Sequence, residues 1–235
     1  MVNIGGIEIE LSRRDGYVTC GETRLQLPRE GGAYVIDDQR VVMCLRVNSA
    51  GAADPDFELP ERGRNVFSFT PECELEWFVE ESGDAMAPED YHASLWTVAD
   101  RVLTQTVKAN RMFELDGETG TILDHWPEDV FVVDGVHHDF VGEINNIMQL
   151  QKKTLVDADQ SVLYCFGTDG QQLWSLELVR GKAWQFRLDS EDNLVHLGYL
   201  DRPKNSSFVV DGDTGEILEQ EYGSEYLGED LREAN

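Results

Sequence analysis

Runs of alternating apolar and polar residues, interrupted by short clusters of Asp, Gly and Thr, recur along the chain. RMFELDGETGTILDHW (111–126) and SSFVVDGDTGEILEQEY (206–222) are near copies, and SVLYCFGTDGQQLWSLEL (161–178) is a looser third. Alternation with period two predicts a strand with one buried face, and two such runs around a tight polar turn predict a β-hairpin. Gly120 and Gly215 can supply the positive φ that closes such a turn, and the side-chain oxygens of Asp116, Thr119, Asp211 and Thr214 can accept from its amides.

Set in register on the turn glycine, Gly120, Gly170 and Gly215 follow one another at separations of 50 and 45 residues. NVFSFTPECELEWFVE (65–80) is a weaker fourth copy with Cys73 in the glycine's place, and GYVTCGETRLQL (16–27) is a shortened fifth. Between the hairpins lie further strand-like runs at 33–37, 40–47, 94–99, 101–109, 183–189 and 193–200. Each unit then reads as two strands followed by the repeated hairpin. Four antiparallel strands per unit of roughly 45 residues predict an all-β chain forming a small β-propeller of about five four-stranded blades. The expected ring is a single domain, 1–235, closed by pairing the two chain ends, which removes exposed edges. The alternatives are four blades plus an extra N-terminal hairpin, or an incomplete ring closed by dimerisation. The N-terminal unit reads one strand short, and 130–159 does not divide cleanly into two strands.

FELDGETGTILDHW, YCFGTDGQQLW and FVVDGDTGEILE resemble the third and fourth strands of quinoprotein-type (PQQ-like) β-propeller repeats, which carry an aromatic-x-x-Asp-x-x-Thr-Gly-x-x-x-Trp pattern. The resemblance covers about two-thirds of the chain and implies blade architecture. Quinone-dependent dehydrogenases with such repeats have eight blades, adjacent cysteines beside the cofactor and a catalytic Asp above calcium. This chain has no adjacent cysteines and too little length, so the cofactor is not carried over and none is expected.

Composition adds the surface. Of 235 residues, 46 are Asp or Glu and 19 Lys or Arg, giving a net charge of −27 spread over the whole length. Such a surface repels nucleic acid and anionic membrane, which need basic patches, so neither is expected as a partner. Only five of the basic residues are Lys. An acid-rich, Lys-poor surface stays hydrated where molar salt screens repulsion within a few ångströms, which points to the cytoplasm of a halophile. No apolar run follows a basic start, so no secretory signal is read and the expected compartment is the cytoplasm. Cys20, Cys44, Cys73 and Cys165 form no C-x-x-C pair and read as small buried thiols.

Candidate chemistry is sparse. His137, His138 and Asp139, with Glu143 nearby, are the densest set of potential ligands, although on a strand the two histidines point to opposite faces. No metal site is expected from them; a binding or interface role competes with an ordinary solvated turn. Trp96 and Trp184 fall on inner strands, where aromatic rings can form a binding platform or simply belong to the core. Trp77, Trp126 and Trp174 lie where they can pack between neighbouring units. No nucleophile-elbow, phosphate-loop, zinc-protease or dinucleotide fingerprint is present. The expected function is therefore a non-catalytic module presenting loops, 48–64 among them, to another protein, with no catalytic residue assigned. The alternatives are a lectin-like carbohydrate binder and a hydrolase with gathered carboxylates. Residues 223–235 read as an acidic tail.

Overall fold

The computed structural model describes residues 2–4, 7–12, 17–26, 31–36, 40–45, 64–81, 91–98, 101–107, 110–158, 162–177, 182–189, 193–201 and 204–222. The loop at 48–63, most of the loop at 80–92 and the tail at 223–235 lie outside them. Among the described residues every regular element is a β-strand, and no helix is long and apolar enough to cross a membrane.

Strands pair antiparallel with their neighbours in sequence. The first sheet comprises β1 (Val2–Ile4), β2 (Ile7–Ser12), β3 (Tyr17–Cys20) and β4 (Thr23–Gln26). The second holds β5 (Gly31–Ile36), β6 (Val41–Leu45), β7 (Val66–Phe69) and β8 (Leu75–Phe78). The third holds β9 (His92–Val98), β10 (Arg101–Thr106), β11 (Arg111–Leu115) and β12 (Ile122–Pro127). A two-stranded fourth sheet pairs β13 (Val130–Val133) with β14 (Val136–Asp139). The fifth contains β15 (Asn146–Leu150), β16 (Lys153–Ala158), β17 (Val162–Phe166) and β18 (Gln172–Glu177), and the sixth β19 (Lys182–Asp189), β20 (Leu194–Asp201), β21 (Lys204–Asp211) and β22 (Ile217–Tyr222). The chain divides into two compact units, Met1–Glu128 and Asp129–Asn235, with three sheets each.

This arrangement overturns the expected propeller ring. Among the described residues the strands form six separate open sheets, and their pairing joins neither two sheets nor β1 to β22: β1 bonds to β2, and β22 to β21. The resemblance to PQQ-like repeats, which require a closed ring of blades, falls with it. The version with an extra N-terminal hairpin fails too, because the N-terminal sheet is complete and the extra hairpin is β13–β14. Closure by dimerisation likewise finds no incomplete terminal sheet to complete. The physical reason is that alternation and turn glycines report hairpins, which are local, whereas ring closure depends on distant pairing that they do not encode.

The repeated turns are built as their chemistry requires. Asp116 Oδ1 accepts from the amides of Glu118 (2.8 Å) and Thr119 (3.0 Å), and Asp211 Oδ1 from those of Asp213 (2.9 Å) and Thr214 (2.8 Å). Gly120, Gly170 and Gly215 take φ of 72°, 73° and 74°, and Cys73 takes 65° at the matching place.

Two apolar clusters organise the first unit. One joins Val18 and Cys20 of the first sheet to Val41, Met43, Leu45, Phe67, Phe69 and Cys73 of the second. The other joins the opposite face of the second sheet, with Val42, Cys44, Val66, Trp77 and Val79, to Leu95, Val102, Phe113 and Leu115 of the third. Cys20 and Cys73 form a disulfide, which corrects the expectation of four reduced thiols; Cys44 and Cys165 are free and buried. In the second unit Leu150, Leu155, Leu163 and Cys165 of the fifth sheet pack with Val195, Leu197, Phe208 and Val210 of the sixth.

One junction device appears in both units. Trp77 Nε1 (3.1 Å) and an Arg40 guanidinium nitrogen (2.5 Å) both donate to the carbonyl of Gly117 in the turn of the following sheet. Trp174 Nε1 (3.3 Å) and Lys153 Nζ (2.9 Å) do the same to Gly212, and Lys153 also pairs with Asp213. A cation and an indole N–H thus converge on one turn carbonyl, the charged donor making the stronger bond.

Candidate functional site

The His137–Asp139 segment lies on β14, whose hairpin turns at Asp134 and Gly135 with φ of 48° and 76°. Two successive positive values fit a type I′ turn, which the Asp-Gly pair in VFVVDGVHHD favours. Alternation along β14 leaves His137 and Asp139 exposed and turns His138 inward. His138 Nε2 lies 2.8 Å from the carbonyl oxygen of Gly170, and its ring packs on Phe166 with centroids 4.3 Å apart. Phe131, Phe140 and Tyr164 complete this aromatic group. His138 therefore pins the two-stranded sheet to the β17–β18 turn. Among the described residues no three His, Cys, Asp or Glu side chains converge as a metal site.

Trp96, paired with Leu103 in the third sheet, is 8% exposed and presents no open platform. Trp184 lies in β19, at the register shift between Ala183 and Gln185; its side chain is outside the described residues. Trp96 belongs to the first unit and the β14 histidines to the second.

Sequence reasoning did not foresee a buried trio of Cys44, Asn65 and His92. Asn65 Nδ2 donates to the carbonyls of Leu45 and His92, each at 2.8 Å, while Asn65 Oδ1 accepts from the His92 amide at 3.1 Å. A side-chain amide thus does for β9 what a neighbouring strand's peptide would do. Cys, His and Asn together suggest a nucleophile and its base, but the geometry excludes this. The Cys44 thiol donates to the backbone carbonyl of His92 (3.0 Å), while the imidazole Nδ1 faces Thr104 Oγ1 (3.2 Å). Burial, partly opposed by the Asn65 hydrogen bond, pushes the Cys44 thiol up to about 12, so no thiolate forms near neutrality. Cys165 is likewise raised by burial, to about 11.

The outward edge of the sheets carries a repeated feature. In β12, Glu114 pairs with Asp124 and Leu115 with Ile122, so Leu123 is the extra residue of a bulge. Leu173 holds the same place between Gln172 and Trp174, and Leu218 between Ile217 and Glu219. The corresponding residue of β8 is Glu76, which accepts a hydrogen bond from Ser68 Oγ at 2.8 Å. Bulges on edge strands disrupt the ladder that would otherwise recruit another strand. The bulged leucines, by contrast, are 58%, 49% and 50% exposed. A triplet of leucines three residues beyond the turn glycine is visible in the sequence, but its outward aim follows only from the bulge.

No protein-family model matches the chain, and no curated protein matches it. Among solved structures it is similar to the computationally designed protein Ika8, with 17% identity and a TM-score of 0.52 over 92% of this chain; it spans 61% of the designed protein's length. It also aligns with BamB from Moraxella catarrhalis (14% identity, TM-score 0.49, 95% of this chain and 75% of the other). A third alignment is with the C-terminal WD40 domain of Sif2 (10% identity, TM-score 0.40, 74% of this chain and 41% of the other). The first indicates a shared fold and nothing of activity, and the other two, below 0.5, carry no argument.

Proposed function

We propose that the chain is a non-catalytic binding module that meets a protein partner through the edges of its sheets. The observation that carries this reading is the recurrence of Leu123, Leu173 and Leu218 at one bulged position on three edge strands, each about half exposed. A single exposed leucine is unremarkable on a protein surface, whereas the same exposed leucine at the same bulged position of three edge strands gives each of those strands an apolar contact to offer a partner. The charge of −27 favours the same conclusion. In molar salt long-range charge attraction is screened, while apolar burial is maintained or strengthened, so apolar contact is the attraction that persists for such a chain. Reactive groups lend no support to catalysis, since both free thiols are buried and raised.

The test is affinity capture at about 2 M KCl, comparing the wild-type chain with the triple variant Leu123→Ser, Leu173→Ser, Leu218→Ser. Circular dichroism checks that the variant keeps its sheets. Proteins retained by the wild type and lost by the variant are the expected result. Identical captures would refute the edge-strand surface, and specific retention of sugars by the wild-type chain would favour a carbohydrate-binding module in its place.

A further inference from the structure

The junctions between sheets in the first unit are not equivalent. Between the second and third sheets, β9 lies along β5 and β6, Asn65 bonds both backbone groups of His92, and Trp77 with Arg40 holds Gly117. Glu80 adds two more links, its amide to the carbonyl of Gly120 (3.1 Å) and its carboxylate to the amide of Ile122 (2.7 Å). The first and second sheets meet differently. Four residues beyond its turn position, where Cys73 is followed by Trp77 and Gly170 by Trp174, Gly21 is followed by Leu25, which has no polar group to reach a turn carbonyl. Among the described residues this junction consists of apolar packing around Val18, Cys20 and Leu25 and the Cys20–Cys73 disulfide.

Cys73 itself occupies the place that glycine holds in the other three turns, at φ 65°. An L-residue is held there against its local preference. The bond to Cys20 gives that placement its purpose. Cys20 and Cys73 are 3% and 8% exposed and belong to the apolar cluster of this junction, while their chain neighbours Gly21, Glu22, Glu72 and Glu74 are exposed, so a reductant reaches the bond as these turns open. The two remaining thiols cannot take over the exchange, because both are buried and raised far above neutrality.

We infer that the Cys20–Cys73 disulfide is a redox-operated fastener: oxidised, it holds the N-terminal sheet β1–β4 to the second sheet, and its reduction by a dithiol frees that sheet while the second and third sheets stay folded. A thiolate of the dithiol attacks one sulfur, and the other leaves as a chain thiolate that takes a proton. The second thiol of the reagent then resolves the mixed disulfide. Two electrons and two protons pass to the cysteine pair, and the reagent ends as its own disulfide.

Hydrogen exchange read by mass spectrometry tests this on the full chain, with and without about 5 mM dithiothreitol, and on the variant Cys73→Gly. That variant removes the bond while giving the turn the residue its φ favours, so turn strain is not confounded with loss of the cross-link. Amides of 2–26 should exchange at least roughly ten-fold faster in the reduced chain and in Cys73→Gly, while those of 92–127 keep their rates. Unchanged protection at 2–26 overturns the inference. So does an equal loss of protection throughout 1–128, which would make the bond a general staple, and so does alkylation of Cys20 and Cys73 in the untreated, unfolded chain, which would show that the bond does not form.

Discussion

Trp174 closes on Gly215 so tightly that a Cβ at Gly215 would stand 2.7 Å from the indole Cδ2 and Cε3 atoms, at a residue whose φ of 74° already disfavours any side chain. Gly215→Ala therefore combines two costs: about 1 kcal/mol for an L-residue in the left-handed region and about 1–3 kcal/mol for forced overlap. We expect a destabilisation of about 2–4 kcal/mol, read from the denaturant midpoint. Gly135→Ala separates the two contributions, because Gly135 has φ of 76° but nothing within 4 Å of the added carbon. Only the backbone cost, about 1 kcal/mol, should appear there. Equal losses at the two sites would show that the tryptophan yields freely.

The backbone at Cys73 makes a separate prediction, independent of what reduction does to the sheets. With φ at 65°, Cys73→Gly should be more stable than Cys73→Ala by about 1 kcal/mol when both are compared under reducing conditions. Relative to the oxidised wild type, both should lose up to about 4 kcal/mol, the chain-entropy value for a cross-link spanning 53 residues. Thermal unfolding of the three chains measures both differences.

The hairpins were legible because their information is local. Asp116, Thr119 and Gly120 announce the turn by side-chain chemistry, and alternation around them fixes which residues face inward. Cys73 could be matched to the turn glycines from sequence alone, and its positive φ agrees. What could not be read was non-local. No spacing rule pairs Cys20 with Cys73, and nothing marks Asn65 as the residue that grips β9. Recurring hairpins repeat a local unit without encoding how the units close on one another, and among the described residues the strands pair into six open sheets. At the candidate site, alternation placed His137 and His138 on opposite faces, but the inward role of His138 depends on Gly170, 32 residues away. Trp96 shows the same limit, since inner-strand position does not tell a platform from a core residue, and here the ring is buried.

Acid should loosen the repeated turns before it affects the apolar clusters. The backbone amides of Glu118 and Thr119, in that order, hold the Asp116 carboxyl below its ordinary value; for Asp211 the Thr214 amide leads, followed by the Thr214 hydroxyl. A carboxyl lowered by folding contributes stability that is present above its unfolded value, near 3.9, and is lost as pH falls through the lower folded value. The amide resonances of Thr119 and Thr214 should therefore hold steady down to about pH 4 and shift together below it. Asp116→Asn should abolish the shift at Thr119 and leave that at Thr214. A midpoint at or above the ordinary carboxylate value would contradict these hydrogen bonds.

Both free thiols should be silent in the folded chain. With values raised to about 12 and about 11, Cys44 and Cys165 hold roughly one part in ten thousand and one part in a thousand as thiolate at pH 8. Iodoacetamide at that pH should add no mass to the native oxidised protein within minutes and two adducts once it is unfolded. Prompt labelling of the native chain at Cys44 would show that the second and third sheets part far more readily than the Asn65 network implies.

Asn65 offers the sharpest test of how those two sheets are joined. Its amide serves three backbone groups at once, the Leu45 carbonyl and both the carbonyl and the N–H of His92, and it is 2% exposed. Asn65→Ala leaves these groups without that partner in a space too confined for easy hydration, and each buried unsatisfied group costs about 1–3 kcal/mol. The Cys44 thiol, which already donates to the carbonyl of His92, remains and recovers part of the loss, so we expect a net destabilisation of about 3–5 kcal/mol in the unfolding of the first unit. Because the Asn65 hydrogen bond lowers the Cys44 value, the variant should also make that thiol harder to ionise for as long as the site stays dry. If water enters, the two readings move together in the opposite direction, with a stability loss under about 1 kcal/mol and faster alkylation of Cys44. That combination would mean that the contact between β9 and the second sheet rests on its apolar neighbours, Val66, Trp77, Leu95 and Phe113, and that the amide only marks its position.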